Sequence, residues 1–237
     1  MNGTAQSLKE DHNTLVISVD EKCGMQALER AAPDLPTIPG YGRGREFNYI
    51  RHGTQTLIAG LEVGSGQTYG QIGQTRTEED FVDFIEYIVE HEDQNPRSKY
   101  VFIVDQLNTH KSVELVRLVA RLNGEKPNLG IKGRSGILKN MNTRMNYLSQ
   151  KSKRVRFVYT PKHCSWLNLI EVWFSQLGKR VLKWGNFKST EELADKVLAY
   201  LNYYNENLAH AFKWSAIKKE DTQEIIRKVK RYMYVNL

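Results

Sequence analysis

Apolar positions along the chain fall into two periods. Leu15-Val16-Ile17-Ser18-Val19 is a short β-branched run that stops at Asp20. Tyr100-Val101-Phe102-Ile103-Val104 is a second that stops at Asp105, and Val155 to Tyr159 is a third, closed by Pro161. Short apolar runs bounded by polar residues read as buried strands. Glu46 to Ile50, Gln55 to Val63 and Thr68 to Ile72 are set apart by Gly53 and Gly64-Ser65-Gly66. They predict an antiparallel meander of three strands. Residues 31–45 carry three prolines and three glycines and predict a loop.

Helical spacing fills the intervals. Thr77-Glu78-Glu79-Asp80 opens a helix whose Phe81, Phe84, Ile85, Ile88 and Val89 share a face down to about His91. Asn108-Thr109 predicts the cap of a helix containing Val113, Leu115, Val116, Leu118 and Val119. A short helix is expected near Asn140–Leu148. Ser165 is expected to cap a long apolar helix over 165–184, and Thr190 to start another over 190–206. An amphipathic basic helix is expected from about Thr222 to Met233. Neither a repeat nor a Ser/Gly/Pro linker divides the chain, so residues 1–237 are expected to form one domain. Hairpins followed by β-α-β crossovers predict an α/β sheet with helices on its faces.

Composition narrows the class. With 40% apolar and 26% charged residues, the chain is an ordinary soluble globular protein, not collagenous or low-complexity. Its apolar runs are far shorter than the ~20 residues of a spanning helix, so no membrane partner is expected. The first thirty residues lack a signal-peptide pattern. The two cysteines, Cys23 and Cys164, suggest neither a disulfide framework nor a zinc site. A reducing, cytoplasmic location is expected.

Charge adds more than composition does. Thirty-four Lys and Arg against 27 acids give a net charge of +7. Between Lys126 and Arg156 stand nine Lys and Arg and no acid. That excess exceeds the net charge of the whole chain, so the rest is close to neutral. A basic, glycine-punctuated insert over 124–156 points to a polyanionic partner. Lys132, Arg134, Lys139, Arg144, Lys151, Lys153, Arg154 and Arg156 are the candidates for contacting a DNA backbone.

The candidate chemistry lies in three acids. Asp20 and Asp105 each follow an apolar strand, and ligand sites in open α/β sheets lie at the carboxyl ends of strands. Glu171 is the only charged residue between His163 and Lys179, set among Leu167, Ile170, Trp173, Phe174 and Leu177. Acids are seldom left on such a face without a partner. Neighbouring carboxylates repel, and a pair of Mg²⁺ ions would relieve that while clamping a scissile phosphate. Asn168, one turn before Glu171, is expected behind the acids. Asn108 and His110 each divide between a capping or surface role and a place near the metals or DNA. Glu21 and Lys22 read as an exposed charged turn, and Trp166 and Trp173 as core.

The segments ISVDEKCGMQALER, YVFIVDQLNTHKS and YTPKHCSWLNLIEVWFSQL resemble, in order, the three catalytic blocks of DDE transposases. Specifically, they resemble the mariner-like transposases encoded by bacterial insertion sequences. YIRHGTQTLIAGLEVGSGQTYG, LGIKGRSGILKN and YYNENLAHAFKW are similar to supporting segments of the same family, so the resemblance spans nearly all of 14–215. It implies a ribonuclease H-like fold, a mixed five-stranded sheet flanked by helices, with a basic insert before the last strand and a helical C-terminus. It further implies a two-metal mechanism with Mg²⁺, or Mn²⁺ as substitute. The activity implied is cleavage at transposon ends and strand transfer into target DNA. The catalytic and metal-binding acids carry over to Asp20, Asp105 and Glu171.

Relatives carry an N-terminal helix-turn-helix region, and only nineteen residues precede Asp20 here. That region is expected from a partner chain, the present chain being a split-frame product or a remnant. A homodimer is expected because two DNA ends must meet, and the location is the bacterial nucleoid. Two alternatives stand beside the transposase: a DNA-binding or assembly module without cleavage activity, and another ribonuclease H-like nuclease.

Overall fold

The computed structural model describes residues 13–33, 39–40, 48–92, 98–161 and 168–211. Their strands are β1 (Thr14–Arg30), β2 (Tyr49–Glu62), β3 (Thr68–Gly73), β4 (Lys99–Val104) and β5 (Val155–Tyr159). Their helices are α1 (Glu78–Glu92), α2 (Val113–Leu122), α3 (Met141–Leu148), α4 (Ile170–Leu177) and α5 (Thr190–Asn207). A 3₁₀ turn, Thr109–Lys111, precedes α2, and a π-helical turn, Gly178–Leu182, extends α4. The five strands form one mixed sheet in the order β3-β2-β1-β4-β5. The β1–β2 and β2–β3 pairs are antiparallel, and β1–β4 and β4–β5 are parallel.

Alternation along the strands splits the core between the two faces of the sheet. Ile58 packs with α1 and α2, while its neighbours Leu57 and Ala59 pack with α4 and α5. Phe81, Phe84, Phe102 and Phe157 fill the first cluster, and Trp173, Leu193 and Tyr204 fill the second. Each such side chain contributes about 1.5–3 kcal/mol through burial. The expected core position of Trp173 therefore holds. Trp166, Ser165 and the helix start at 165 lie outside the described residues, as does the helix expected over 222–233.

Three local expectations are corrected. First, β1 does not end at Asp20. It continues to Arg30, because β2 keeps pairing with it: Asp20 faces Ala59 and Glu21 faces Ile58, with bulges between Lys22 and Met25 and between Gln26 and Leu28. Second, the two strands expected on either side of Gly53 are one. Gly53 takes φ +126°, which glycine alone adopts readily, so the strand passes through it. Third, α2 is capped by Ser112, whose Oγ accepts from Leu115 N at 3.0 Å, while the Asn108 side chain makes no cap bond. Among the described residues, no helix is long and apolar enough to cross a membrane.

Candidate active site

Side-chain alternation at the middle of β1 sends successive residues in opposite directions. Ser18, Asp20 and Lys22 turn toward α4, where Lys22 Nζ lies 5.8 Å from the Phe174 ring centroid. Glu21 turns to the other face, toward His110 and α1.

Asn168, just before α4, is fully buried and fixes Asp20. Its Nδ2 donates to Val19 O at 2.8 Å and to Asp20 Oδ2 at 3.3 Å. Its Oδ1 accepts from the Ser18 hydroxyl, whose oxygen in turn accepts from Ile170 N at 3.3 Å. These bonds sew the start of α4 onto β1. Glu21 N adds a bond to Asp20 Oδ1 at 2.8 Å.

Asp105 lies immediately beyond β4. Its Oδ1 accepts from Leu107 N at 2.8 Å and from His110 Nδ1 at 2.8 Å. The other ring nitrogen of His110, Nε2, lies 2.9 Å from Glu21 Oε1. His110 is completely buried, with the Phe81 ring 4.3 Å away, and its carbonyl accepts from Tyr159 OH at 2.7 Å. The loop after Asp105 is held further by Gln106 Nε2 donating to Thr160 O at 3.0 Å and Lys111 Nζ donating to Gln106 O at 3.2 Å.

The electrostatics follow from this geometry. Burial pushes the Asp20 carboxyl up to about 6; the bond from Glu21 N opposes the rise, and the negative charges of Glu21, Asp105 and Glu171 add to it. The hydrogen bond from His110 holds Asp105 below the usual carboxylate range, against the opposing effect of its partial burial. Burial alone would lower His110, but its bonds to Asp105 and Glu21 outweigh that and raise it to about 9. At neutral pH it is an imidazolium that donates through both nitrogens.

Glu171 sits in the first turn of α4 and is exposed. β1 and β4 pair in parallel with Ser18 opposite Ile103, so Asp20 and Asp105, each two residues further on, lie at the same end of the sheet. The Asn168–Asp20 bond brings the first turn of α4, with Glu171, toward them. Among the described residues, no three or more His, Cys, Asp or Glu side chains stand close enough to enclose a metal ion. An open set of hard oxygen donors nonetheless suits Mg²⁺, which binds one or two carboxylates and keeps waters and substrate phosphates as its other ligands. The donor set therefore fits a divalent cation.

Sequence reasoning missed Glu21, expected in an exposed turn. Its side chain is 4% exposed and bonded to His110. The period-2 pattern, followed one residue past Asp20, would have turned it inward. Asn168 bonds to Asp20 and His110 to Asp105, whereas Asn108 is exposed and leads into the 3₁₀ turn.

The basic candidates divide into two groups. Lys132, Arg134, Lys139 and Lys151 are exposed and Arg156 is half-buried. Arg144, Lys153 and Arg154 are corrections, because their polar ends bond within the protein. Arg144 Nε donates to Asn140 O at 3.3 Å, Lys153 Nζ pairs with Glu125 at 2.5 Å, and Arg154 Nε donates to Ser98 O at 3.0 Å. Lys153 and Arg154 also lie over the rings of Tyr147 and Tyr100.

A family model described as DDE superfamily endonuclease matches residues 18–194, a span holding all three acids. The chain belongs to this family. Three solved structures show what this DDE endonuclease resembles. The Mos1 transposase paired-end complex with left transposon end is 13% identical, with TM-score 0.51, over 94% of this chain and 57% of that one. The catalytic domain of Mos1 mariner transposase is 10% identical, with TM-score 0.46, over 85% and 77%. A simian T-cell lymphotropic virus intasome in complex with a PP2A regulatory subunit is 9% identical, with TM-score 0.41, over 78% and 47%. The chain thus spans about half the length of the paired-end and intasome chains. No curated protein matches it. The sheet order and flanking helices are those of the ribonuclease H-like fold.

Proposed function

We propose that this DDE endonuclease is the catalytic domain of a transposase. It cuts DNA at transposon ends and joins the freed ends to target DNA. The single observation carrying the proposal is that parallel pairing of β1 with β4, Ser18 opposite Ile103, brings Asp20 and Asp105 to the same end of neighbouring strands, while the Asn168–Asp20 bond brings up the first turn of α4 with Glu171. The family match supports cleavage of phosphodiesters, and the Mos1 paired-end complex supports transposon-end DNA as substrate.

Asp20, Asp105 and Glu171 would hold two divalent cations, Mg²⁺ or Mn²⁺. When bound, these supply Lewis acidity to the scissile phosphate and lower the pKa of the attacking water or 3′-hydroxyl. The chain's own residues do the positioning. Asn168 orients Asp20. His110, backed by Glu21, holds Asp105 by Oδ1, so that Oδ2 is the oxygen able to turn toward a cation. The exposed Lys132, Arg134, Lys139 and Lys151 contact phosphates, and a second copy or a helix-turn-helix partner brings two DNA ends together.

A plasmid-nicking assay with Mg²⁺ or Mn²⁺ tests this. Wild type nicks in a metal-dependent manner, and Asp105→Asn abolishes it. Equal nicking by both proteins would remove Asp105 from the mechanism. DNA binding without nicking in either would make the chain a binding module.

A further inference from the structure

We infer that residues 129–138 form a preorganised finger that enters a groove of duplex DNA, with Ile131 as its apolar contact. The inference rests on the DNA-cutting function proposed above and gives its DNA interface a specific part.

The finger is built before any partner arrives. Ile131 and Ser135 form an antiparallel bridge, each backbone N–H donating to the other's carbonyl at 3.1 Å, and Arg134 N donates to Ile131 O at 2.9 Å. The tip is Lys132-Gly133-Arg134. At the neck, Leu138 N donates to Leu129 O at 2.9 Å, and Gly130 and Gly136 take φ +78° and +68° face to face. A Cβ on Gly130 would fall 2.2 Å from Ser135 O, and one on Gly136 2.6 Å from Leu129 O. Only glycine closes this neck.

The base is anchored and the tip is free. Leu138 is buried, and Leu129 and Ile137 pack on the core. Residues 131–136 are all exposed, and Ile131 is 58% exposed. Lys132 and Arg134 carry no ion pair among the described residues. The following helix, α3, packs against the 3₁₀ turn that bears His110, which ties the finger to the acid cluster.

A solvated loop needs neither a glycine-locked neck nor an aliphatic side chain beside two unpaired cations. Phosphate neutralisation uses Lys132 and Arg134, and the exposed Ile131 side chain at the base of the same tip suits sugar or base edges inside a groove. Rigidity before binding lowers the ordering cost of the complex.

The test reads binding by fluorescence anisotropy on a labelled duplex in EDTA, so it is independent of cleavage. Failure of nicking with binding intact would overturn the catalytic proposal and leave this one standing. Lys132→Gln/Arg134→Gln is expected to lower the salt slope by about 1.8, so that its deficit grows roughly tenfold as salt falls from about 200 to about 50 mM. Ile131→Ser is expected to weaken binding several-fold with the slope unchanged. Thermal unfolding confirms that both variants are folded. A double variant no weaker than the exposed-lysine control Lys196→Gln, or an Ile131→Ser protein that binds as wild type does, would overturn the finger.

Discussion

His110 donates to Asp105 Oδ1 at 2.8 Å from a fully buried position, and its opposite nitrogen is held by Glu21 at 2.9 Å. One imidazolium therefore joins β1 to the loop after β4. His110→Gln leaves the Glu21 carboxylate buried without its cation, which costs about 3–5 kcal/mol. Urea denaturation should show that loss. Metal-dependent nicking by the variant, measured where it is still folded, should be reduced because Asp105 is no longer oriented.

The same groups set a pH dependence. A folded-state pKa above the unfolded value stabilises the fold below the unfolded pKa and loses that contribution as pH rises through the folded one. For Asp20, stability falls between pH 3.8 and about 6. For His110 it falls between pH 6.5 and about 9. Urea midpoints measured in EDTA across pH 4–9 should show both declines. Asp20→Asn should lack the acid-side one and His110→Gln the alkaline one.

Asn168→Ala removes two donors and one acceptor from a buried junction. The unsatisfied Val19 carbonyl and Ser18 hydroxyl cost about 1–3 kcal/mol. Nicking should fall by more than the loss of folded protein explains, because Asp20 loses its orienting amide. Parallel unfolding and activity measurements separate the two effects.

Lys153 separates structural from DNA-facing charge. Its side chain is 1% exposed and paired with Glu125. Lys153→Ala should lower stability by on the order of 2 kcal/mol while leaving the salt slope of DNA binding unchanged. Lys151→Gln should do the reverse, with stability unchanged and a smaller slope.

Much of this arrangement is legible in the sequence because it is local. The apolar runs before Asp20 and Asp105 mark β1 and β4, and the spacing from Phe81 to Val89 marks α1. The continuation of β1 is not legible, because Glu21, Lys22, Cys23 and Gly24 break the apolar pattern and only pairing with β2 carries the strand onward. That break also hid Glu21. Its inward direction depends on a partner 89 residues away. The charge run over 126–156 marks a basic segment, yet counting charges does not reveal which ones the fold consumes. Arg144, Lys153 and Arg154 are spent on Asn140, Glu125 and Ser98, contacts that exist only once α3 and β5 are packed.

The proposed function requires that Asp20, Asp105 and Glu171 together hold divalent cations. Anomalous diffraction from crystals soaked in Mn²⁺ tests it most directly. Anomalous peaks are expected, coordinated by oxygens of Asp20 and Asp105, with Glu171 beside them. Peaks only elsewhere on the molecule, or none at these acids, would contradict it.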